Sequence, residues 1–452
     1  MNKEGGSGAV NLTEGNLKKQ LVKLATPIIG TSFIQIAYTF TDIAWVGHLG
    51  SRAIAAISAI GVVMWFVWSL GITVKIGAEV CVSQALGAKN MQRARSYVAH
   101  TMTIALALGL LITLLLFVFG RSIIGFYHFE SSVASIARNY LYIVSPVLAM
   151  TFGSLALTGG YNGSGQSNIP FKVNAIGLVA NMILDPLLIY VLKMGTEGAA
   201  VATFVAQSCV FLLFLREIRY GKPLIARDIS LLTRLKKIET TKIIKIGFPV
   251  SALNALMAMV TFVMGSITSR IGGHIGVAVL NAGGQLEAVT WNTSQGFSTA
   301  LATYVGQNFA AQKKQRIFAG FRFIMSIALC LGVAATIFYV FWGEDFFRII
   351  IPDKATYTEA GRYYRIVGLS QLFSMMEITI QGLYYGTGRS LTPSLISIGG
   401  NTLRIPTALL LIGMGLGLSG IWWTISISSI LKSIVILATL PPLIRYISKK
   451  TT

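Results

Sequence analysis

Long, continuous runs of apolar residues are separated along the chain by short polar segments. An α-helix needs about 20 mainly apolar residues to cross the hydrocarbon core of a bilayer. Because the apolar runs are unbroken and do not alternate residue by residue with polar positions, they favour helices over the strands of a membrane barrel. We predict an all-α integral membrane protein whose twelve transmembrane helices cover residues 20–48, 54–86, 97–120, 135–158, 168–193, 197–219, 243–270, 278–309, 317–343, 357–385, 393–416 and 420–446.

The two halves of the chain repeat one another. At an offset of 223 residues the matching segments are Gly159–Pro170 with Gly382–Pro393, and Val82–Ala88 with Val305–Ala311. Pro27 matches Pro249 at an offset of 222 residues. The Gly-x-Gly sequences of the first pair predict tight inner loops, where glycine permits turns and a close approach of helices. Matches at almost one offset indicate a tandem duplication.

Six helices per half is an even number, so both halves enter the membrane in the same sense. Parallel repeats of this kind are related by a pseudo-twofold axis along the membrane normal. We therefore predict two six-helix lobes, at residues 17–220 and 241–447. A basic cytoplasmic linker at 221–240 joins them, a disordered cytosolic arm covers 1–16, and a cytosolic tail covers 448–452.

The composition also indicates a membrane location. The chain is 54% hydrophobic and 12% charged, with a mean hydropathy of +0.69, whereas a soluble domain is about 25% charged. Its net charge of +21 makes nucleic acid the first partner to consider. With the N-terminus inside, however, 25 of the 37 Lys and Arg residues fall on inner segments. This imbalance predicts a multi-pass protein of the cell (inner or plasma) membrane with both termini cytoplasmic, and it explains the charge without nucleic acid.

Few residues are suited to covalent or metal chemistry. The three cysteines, Cys81, Cys209 and Cys330, lie in apolar stretches, and their spacing suggests neither a disulfide nor a metal framework. The four histidines form no HxxxH or HExxH pattern, and they lie near the ends of spans without a nucleophile–base arrangement at depth. We therefore expect no enzyme and no resident cofactor.

Two carboxylates lie within spans of the first half. An ionised side chain at the middle of a bilayer costs about 2.5–3.5 kcal/mol on insertion scales, so it is retained only with a partner or a use. Asp42 follows Tyr38 by four residues on one helix face, and Asp185 follows Asn181 in the same way. Pro186 frees a backbone carbonyl one turn earlier. Carboxylate and amide oxygens suit Na⁺, and two carboxylates in apolar surroundings suit H⁺, so we predict a cation site here.

Other polar residues within spans are secondary candidates. Lys75 and Glu79 are four residues apart in the second span, and they predict either a buried ion pair or a contact with substrate. In the second half, Glu287 and Glu377 have no obvious local partner, and Arg404 is a candidate partner for either of them. Gln35, in the first span, completes the set of secondary candidates.

Several of these motifs resemble those of the multidrug and toxic compound extrusion (MATE) family. The matching sequences are Asp42-Ile-Ala-Trp-Val-Gly47, Asn181-Met-Ile-Leu-Asp185-Pro186, Gly198-Ala-Ala-Val-Ala-Thr203 and the two Gly-x-Gly loops. The resemblance extends from about Leu17 to Ile447, and it is greatest to the DNA-damage-inducible (DinF-like) branch. It implies twelve helices in two lobes, alternating access, and export of cationic amphipathic compounds in exchange for H⁺ or Na⁺.

The resemblance also implies roles for residues of the first half. In the DinF-like branch the cation site lies in the N-terminal lobe, and by motif it carries over to Asp42, Asn181, Asp185 and Thr203, with Tyr38 as a close neighbour. If the ion is Na⁺, those first four residues are its implied ligands. A proline bends the first span in some members of the family, and Pro27 matches it as a conformational hinge.

In the second half the resemblance is less regular. Glu287 resembles an acidic residue of the C-terminal lobe in many members. Another branch has an Asp in the tenth span, at a position that the repeat aligns near Ser374, so Glu377 is a displaced counterpart. The combination of Lys75 with Glu79 departs from the family pattern, which argues against a purely generic drug cleft.

Taken together, these features predict a monomeric, cation-coupled antiporter that works in the lipid bilayer and exports drug-like or cationic small molecules. A flippase of lipids or lipid-linked sugars is the alternative within the same superfamily, although such proteins display several basic residues in the cavity. The spans offer Lys75, Arg404 and Lys432. A membrane enzyme would need catalytic groups at depth, and a channel would not need coupled carboxylates.

Overall fold

The computed structural model describes residues 11–47, 49–221 and 232–451, without the side chains of residues 39, 40, 42–44, 47 and 51. The described residues form helices and no strand. The helices are α1 (Leu17–Gly47), α2 (Ser51–Gly87), α3 (Met91–Gly125), α4 (Ser131–Val144), α5 (Leu148–Gly163), α6 (Asn168–Pro186), α7 (Gly195–Tyr220), α8 (Lys237–Ala310), α9 (Lys314–Ile350), α10 (Lys354–Gly368), α11 (Gln371–Gly386), α12 (Leu391–Thr402), α13 (Arg404–Gly413), α14 (Gly417–Ala438) and α15 (Leu440–Lys450).

The predicted all-helical membrane fold is confirmed. Within the described residues, ten helical segments are long and apolar enough to cross a bilayer, and α10 with α11, bent by 48°, forms one more. One of the ten is α8, which covers two predicted spans because its helix is interrupted at Gly273, where φ is 54° and ψ is −144°. Apart from residues at the ends of some spans, the described part of each of the twelve predicted spans therefore lies on helix. Four of them are composite, because a short break or a 3₁₀ turn divides them.

Exposed apolar residues mark surfaces that suit lipid. On α3, Leu110, Leu114 and Val118 are four residues apart and are 61%, 61% and 62% exposed. This spacing places all three side chains on one face of the helix. An apolar stripe that is exposed in the protein alone is stable when hydrocarbon covers it. The chain is a multi-pass membrane protein.

The chain divides into two compact units. The first unit contains Thr26–Ser251 with the residues up to Glu14, and the second contains Gly15–Ala25 with Ala252–Thr452. Two helices, α1 and α8, therefore contribute residues to both units. Each of these helices passes from one unit to the other within a few residues of a proline, Pro27 in α1 and Pro249 in α8. These two prolines are partners in the sequence repeat.

Glycines that match in the repeat make matching helix crossings. In the first unit, α5 crosses α2 so closely that a Cβ on Gly163 would meet the backbone of Glu79. In the second unit, a Cβ on Gly386 would meet the carbonyl oxygen of Ala302 at 2.7 Å. The next glycines, Gly165 and Gly388, have φ of 79° and 78°, a conformation that only glycine adopts readily. The predicted use of these glycines in turns and close packing is confirmed.

Two polar segments differ from the prediction. Residues 1–10 of the predicted disordered arm lie outside the described residues, but residues 11–16 form a turn in which Leu12 is 1% exposed. This part of the arm is packed because it buries an apolar side chain. Within the linker predicted at 221–240, residues 222–231 lie outside the described residues. Helix α8 already begins at Lys237, since the segment from Lys237 onward continues the helical hydrogen bonds of the seventh span.

Candidate functional site

Asp185 and Asn181 lie on one face of α6 and are almost completely buried. They are 1% and 0% exposed, and Nδ2 of Asn181 donates to Oδ1 of Asp185 at 3.3 Å. The four-residue spacing of the sequence brings the two side chains together, as expected for a helix. The two residues share one helix face, as the sequence predicted, and the cation site itself stays a prediction.

The backbone beyond Asp185 is irregular. Pro186 lacks an N–H, and a π-helical turn at Leu187–Val191 follows it, closed by a bond from the N–H of Leu192 to the carbonyl of Leu187 at 2.9 Å. Gly198 of α7 packs against this turn, since a Cβ there would lie 2.8 Å from the carbonyl oxygen of Leu188. The turn is thus fixed from both sides, by proline within α6 and by glycine on α7.

Two further oxygens at this site have no hydrogen-bond partner among the described residues. They are Oδ1 of Asn181 and Oγ1 of Thr203, and both are buried. Helices α6 and α7 are antiparallel and approach closely where a Cβ on Gly177 would meet Val210, and again where Gly198 meets Leu188. This register places Thr203 at the level of Asn181. Buried oxygens without donors are unfavourable unless a proton or a cation satisfies them.

The end of α1 is attached to the same region. The hydroxyl of Tyr190, in the π-helical turn, donates to the carbonyl oxygen of Trp45 at 2.6 Å, and the two rings lie edge to face at 6.1 Å. Asp42 lies in α1 one turn before Trp45, and its side chain is outside the described residues. Tyr38 is partly exposed, with a buried hydroxyl. The backbone thus brings the segment that carries Asp42 to the segment that follows Asp185.

Two other residues of α1 were singled out by the sequence. Gln35 is exposed, so it does not belong to the buried site. Pro27 is buried within the helix, and its carbonyl accepts a hydrogen bond from the hydroxyl of Thr31 at 2.9 Å. One turn later, a Cβ on Gly30 would lie 2.7 Å from the ring of Phe171 in α6. A proline and a tightly packed glycine therefore occur together in α1.

Of the two alternatives predicted for Lys75 and Glu79, a direct ion pair or a contact with substrate, the direct ion pair does not form. Glu79 is 1% exposed, and neither of its carboxylate oxygens has a hydrogen-bond partner among the described residues. The close ion pairs of the described residues, with nitrogen and oxygen within 4.0 Å, do not include this one. A spacing of four residues allows two side chains to meet but does not require their flexible ends to do so.

In the second unit, Glu377 has partners that the sequence did not predict. Its Oε2 lies 3.2 Å from Nζ of Lys432 on α14, and its Oε1 accepts from Ser397 at 2.6 Å and from Gln381 at 3.1 Å. Glu377 and Lys432 are 2% and 8% exposed. The expectation that Glu377 lacks a local partner was wrong, because Gln381 lies one turn away on the same helix.

Glu287 and Arg404 are also held by neutral groups. Glu287 accepts from the hydroxyl of Tyr363 and from Nε2 of Gln371 at 3.1 Å. Arg404, the candidate partner for both glutamates, instead donates to the hydroxyls of Ser428 at 2.7 Å and Ser429 at 3.4 Å. It forms no close ion pair with either glutamate in the described part of the chain.

One signal could have pointed to the missed residue Lys432, because it is one of three basic residues within the predicted spans. Nothing in the sequence pattern pointed to Tyr363 or Gln371, since hydroxyl and amide groups are common in membrane helices. Both units therefore carry buried polar clusters, but their residues differ although the helices repeat.

Comparison with known proteins identifies the family. The MatE family model matches residues 27–187 and 249–410, which is one match in each half of the chain.

The chain belongs to the MatE family.

The relatives of this MatE protein include multidrug transporters. The protein named probable multidrug resistance protein NorM from Thermotoga maritima is 26% identical over 419 residues, which cover 90% of this chain and 88% of that protein. The multidrug export protein MepA from Staphylococcus aureus is 22% identical, and the match covers 91% of this chain and 90% of that protein. MatE proteins are transporters and not enzymes, and nothing in these matches supports the flippase alternative.

Solved structures confirm the fold. One is described as the outward-facing conformation of a multidrug resistance MATE family transporter of the MOP superfamily. It superposes with a TM-score of 0.91 at 21% identity, covering 98% of this chain and 99% of that one. A crystal structure of MATE in the bent conformation gives a TM-score of 0.92 at 20% identity. The superposition covers 99% of this chain and 100% of that one. The predicted MATE-type fold is therefore correct.

Proposed function

We propose that this MatE protein is a cation-coupled multidrug exporter, and that H⁺ or Na⁺ binds between α1 and α6 in the first unit. The observation that carries this proposal is the buried pair Asn181–Asp185, with unsatisfied oxygens on Asn181 and Thr203 at the same level. Amide, hydroxyl and carboxylate oxygens fit a small hard cation, and a carboxylate also fits a proton. The multidrug relatives support drug-like substrates for this chain.

Helix geometry supports a contribution from Asp42. Helices α1 and α6 both begin on the cytoplasmic side if the positive residues are inside. With a rise of 1.5 Å per residue, Asp42 lies about 4.5 Å before Trp45 along α1, and Asp185 about 7.5 Å before Tyr190 along α6. Since Trp45 and Tyr190 are in contact, the two carboxylates lie at similar depth, within about one helical turn.

A coupled movement follows from the position of the site. Cation binding would draw the α1 segment that carries Asp42 towards α6, and the helix would adjust near Pro27, where it passes from one unit to the other. Substrate would be released outward, after which the cation leaves inward and new substrate binds. Moving one charge through 100 mV supplies about 2.3 kcal/mol, enough for roughly a fifty-fold gradient of a neutral substrate.

The test uses purified protein in proteoliposomes, with a fluorescent organic cation as substrate and ΔpH or ΔNa⁺ imposed separately. We expect one of the two gradients to drive export, and Asp42→Asn and Asp185→Asn each to abolish that drive while the protein stays folded and inserted. Asp345→Asn, at an exposed acidic position, is the control and should transport normally. Undiminished export by both Asn variants would show that the coupling site is elsewhere.

A further inference from the structure

Glu79 is a buried acid that the proposed coupling site does not use. It lies in the middle of α2, is 1% exposed, and has no hydrogen-bond partner for either oxygen among the described residues. An ionised carboxylate in such surroundings costs several kcal/mol if nothing compensates it. A carboxyl group avoids that cost by holding a proton.

One cation acts on Glu79 from a distance. Lys75 lies one turn earlier on the same helix face and is partly exposed. Lys75 and Glu79 interact electrostatically with each other. No close ion pair joins them in the described chain, so the two groups are coupled but separated.

The other titratable groups described on the helices around α2 interact with residues other than Lys75 and Glu79. Arg93 of α3 and Lys242 of α8 act on Cys81 of α2, while Tyr97 of α3 contacts both of those cations through its ring. Tyr161 of α5 interacts with Glu217 of α7. Of the charged groups described on these helices, Lys75 is the one that acts on Glu79 electrostatically.

The fold does not require these two charges. In the second unit, the positions equivalent to Lys75 and Glu79 are Ser298 and Ala302. The helix crossing is nevertheless the same, since Gly159 meets the carbonyl of Lys75 and its repeat partner Gly382 meets the carbonyl of Ser298. Small neutral residues thus suffice for the packing, and the acid and base are an addition in the first unit.

The pair lies beside a helix that connects the two units. Near Lys75 and Glu79, α2 is crossed both by α5 and by the first segment of α8. A Cβ on Gly247 of α8 would meet the carbonyl of Thr73, and a Cβ on Gly77 of α2 would meet Ile243 at 2.7 Å. Beyond Ser251, α8 continues into the second unit. Any displacement of this segment of α8 therefore bears directly on the part of α2 that carries Lys75 and Glu79.

We propose that Glu79 is a proton-binding site of the transporter, distinct from the cation site between α1 and α6. In the conformation described here Glu79 is a carboxylic acid. When α2 and α8 rearrange and the ammonium of Lys75 reaches it, the O–H bond of the acid breaks, the proton leaves to water, and a carboxylate–ammonium pair remains. This proposal rests on the proposed cation-coupled export.

The experiment follows the proton directly, in full-length protein reconstituted in lipid without substrate. A pH jump is applied, and infrared difference spectroscopy detects the C=O stretching band of buried protonated carboxyl groups. We expect one such band to disappear in Glu79→Gln and to persist in Asp42→Asn and Asp185→Asn. Lys75→Met should keep the band but shift its loss to more alkaline pH, because the stabilising cation is gone.

Transport provides the second measurement. Glu79→Gln should lower the number of protons exchanged per substrate and leave binding of the fluorescent cation unchanged. The double variant Lys75→Ser, Glu79→Ala reproduces the second repeat and should fold normally, which controls for misfolding. An unchanged infrared band in Glu79→Gln, or an unchanged proton count, overturns the proposal. If the Glu79 band is present but Asp42→Asn and Asp185→Asn still export, the proposed coupling site fails and the proton site stands.

Discussion

The ammonium nitrogen of Lys432 lies 3.2 Å from Oε2 of Glu377, and both side chains are buried. They belong to α14 and α11, which pack together in the second unit. Ser397 and Gln381 occupy the other carboxylate oxygen, so the charges of the pair are compensated within the protein. The pair therefore holds two helices together while keeping a charge in the interior.

Removing one partner of this pair should destabilise the protein strongly. Lys432→Met leaves the Glu377 carboxylate buried without a cation, and breaking a buried pair in this way costs about 3–5 kcal/mol. We expect a large fall in the thermal unfolding temperature of the purified protein in detergent. The double variant Lys432→Met, Glu377→Gln removes both charges and should regain most of the loss.

An exposed ion pair is the control for that experiment. Arg365 lies 2.8 Å from Glu344, with side chains that are 62% and 33% exposed. Exposed pairs contribute only about 0–1 kcal/mol, so Arg365→Gln should shift the unfolding temperature little. An equal effect of Arg365→Gln and Lys432→Met would show that the buried pair has no special contribution.

The glycines of the helix crossings give a second prediction. A methyl group on Gly163 would meet the backbone of Glu79, and one on Gly386 would meet Val305 and Ala302. Because backbone atoms cannot move aside individually, Gly163→Ala and Gly386→Ala should each destabilise by about 1–3 kcal/mol. Gly61, on the exposed side of α2 with no neighbour within 4 Å, is the control: Gly61→Ala should be neutral or stabilising in the same thermal assay.

The sequence predicted features that depend on local pattern. The spans follow from apolar length, the pair Asn181–Asp185 follows from helical spacing, and the repeated glycine loops follow from residues that match at one offset. Each of these signals lies within a few residues or within an internal repeat, so a single chain is sufficient to find it.

Features that depend on helix packing were not predicted. The contacts of Glu377 with Lys432 and of Glu287 with Tyr363 join helices that are far apart in the sequence, the latter by 76 residues. Spacing within one helix carries no information about such contacts. Conversely, the spacing of Lys75 and Glu79 favoured an ion pair that does not form, because the crossing by α5 and α8 determines the surroundings of Glu79.

An exposed helix cap gives a prediction about acid. Oδ2 of Asp353 accepts from the hydroxyl of Thr356 at 2.6 Å and from its backbone N–H at 2.9 Å. These hydrogen bonds hold the pKa of Asp353 below its ordinary value, and the bond from the hydroxyl has the larger effect. Because the pKa of Asp353 is lower in the folded protein, its carboxylate stabilises the start of α10 at pH values above the unfolded pKa of about 3.9. That stabilisation is lost as the pH falls through the pKa of the folded protein.

The measurement is hydrogen exchange of the Thr356 amide. Asp353→Ala should speed exchange at neutral pH, and the difference from the wild type should shrink when the solution is acidified below about pH 4. Asp353→Asn keeps an acceptor oxygen without a charge, so it should protect the amide at neutral pH with less loss in acid. Exchange that is identical in all three proteins would show that the cap does not protect this turn.

The last prediction concerns the contact between His100 and the chain that precedes α8. Nδ1 of His100 lies 2.7 Å from the carbonyl oxygen of Ser96, so this nitrogen carries the proton and donates it. Nε2 then accepts from the backbone N–H of Lys236 at 3.1 Å. A second contact nearby, from the N–H of Thr233 to the hydroxyl of Thr103 at 3.0 Å, holds the same segment.

Removal of the imidazole should release this segment, because the N–H of Lys236 then loses its acceptor Nε2. We expect the loss of this acceptor to accelerate hydrogen exchange of the Lys236 amide by a larger factor than that of the Thr233 amide, which is bound through the hydroxyl of Thr103. The position equivalent to His100 in the second half is Phe323, so His100→Phe is compatible with the fold. That variant should exchange rapidly at Lys236, and exchange as slow as in the wild type would show that the imidazole does not hold this segment.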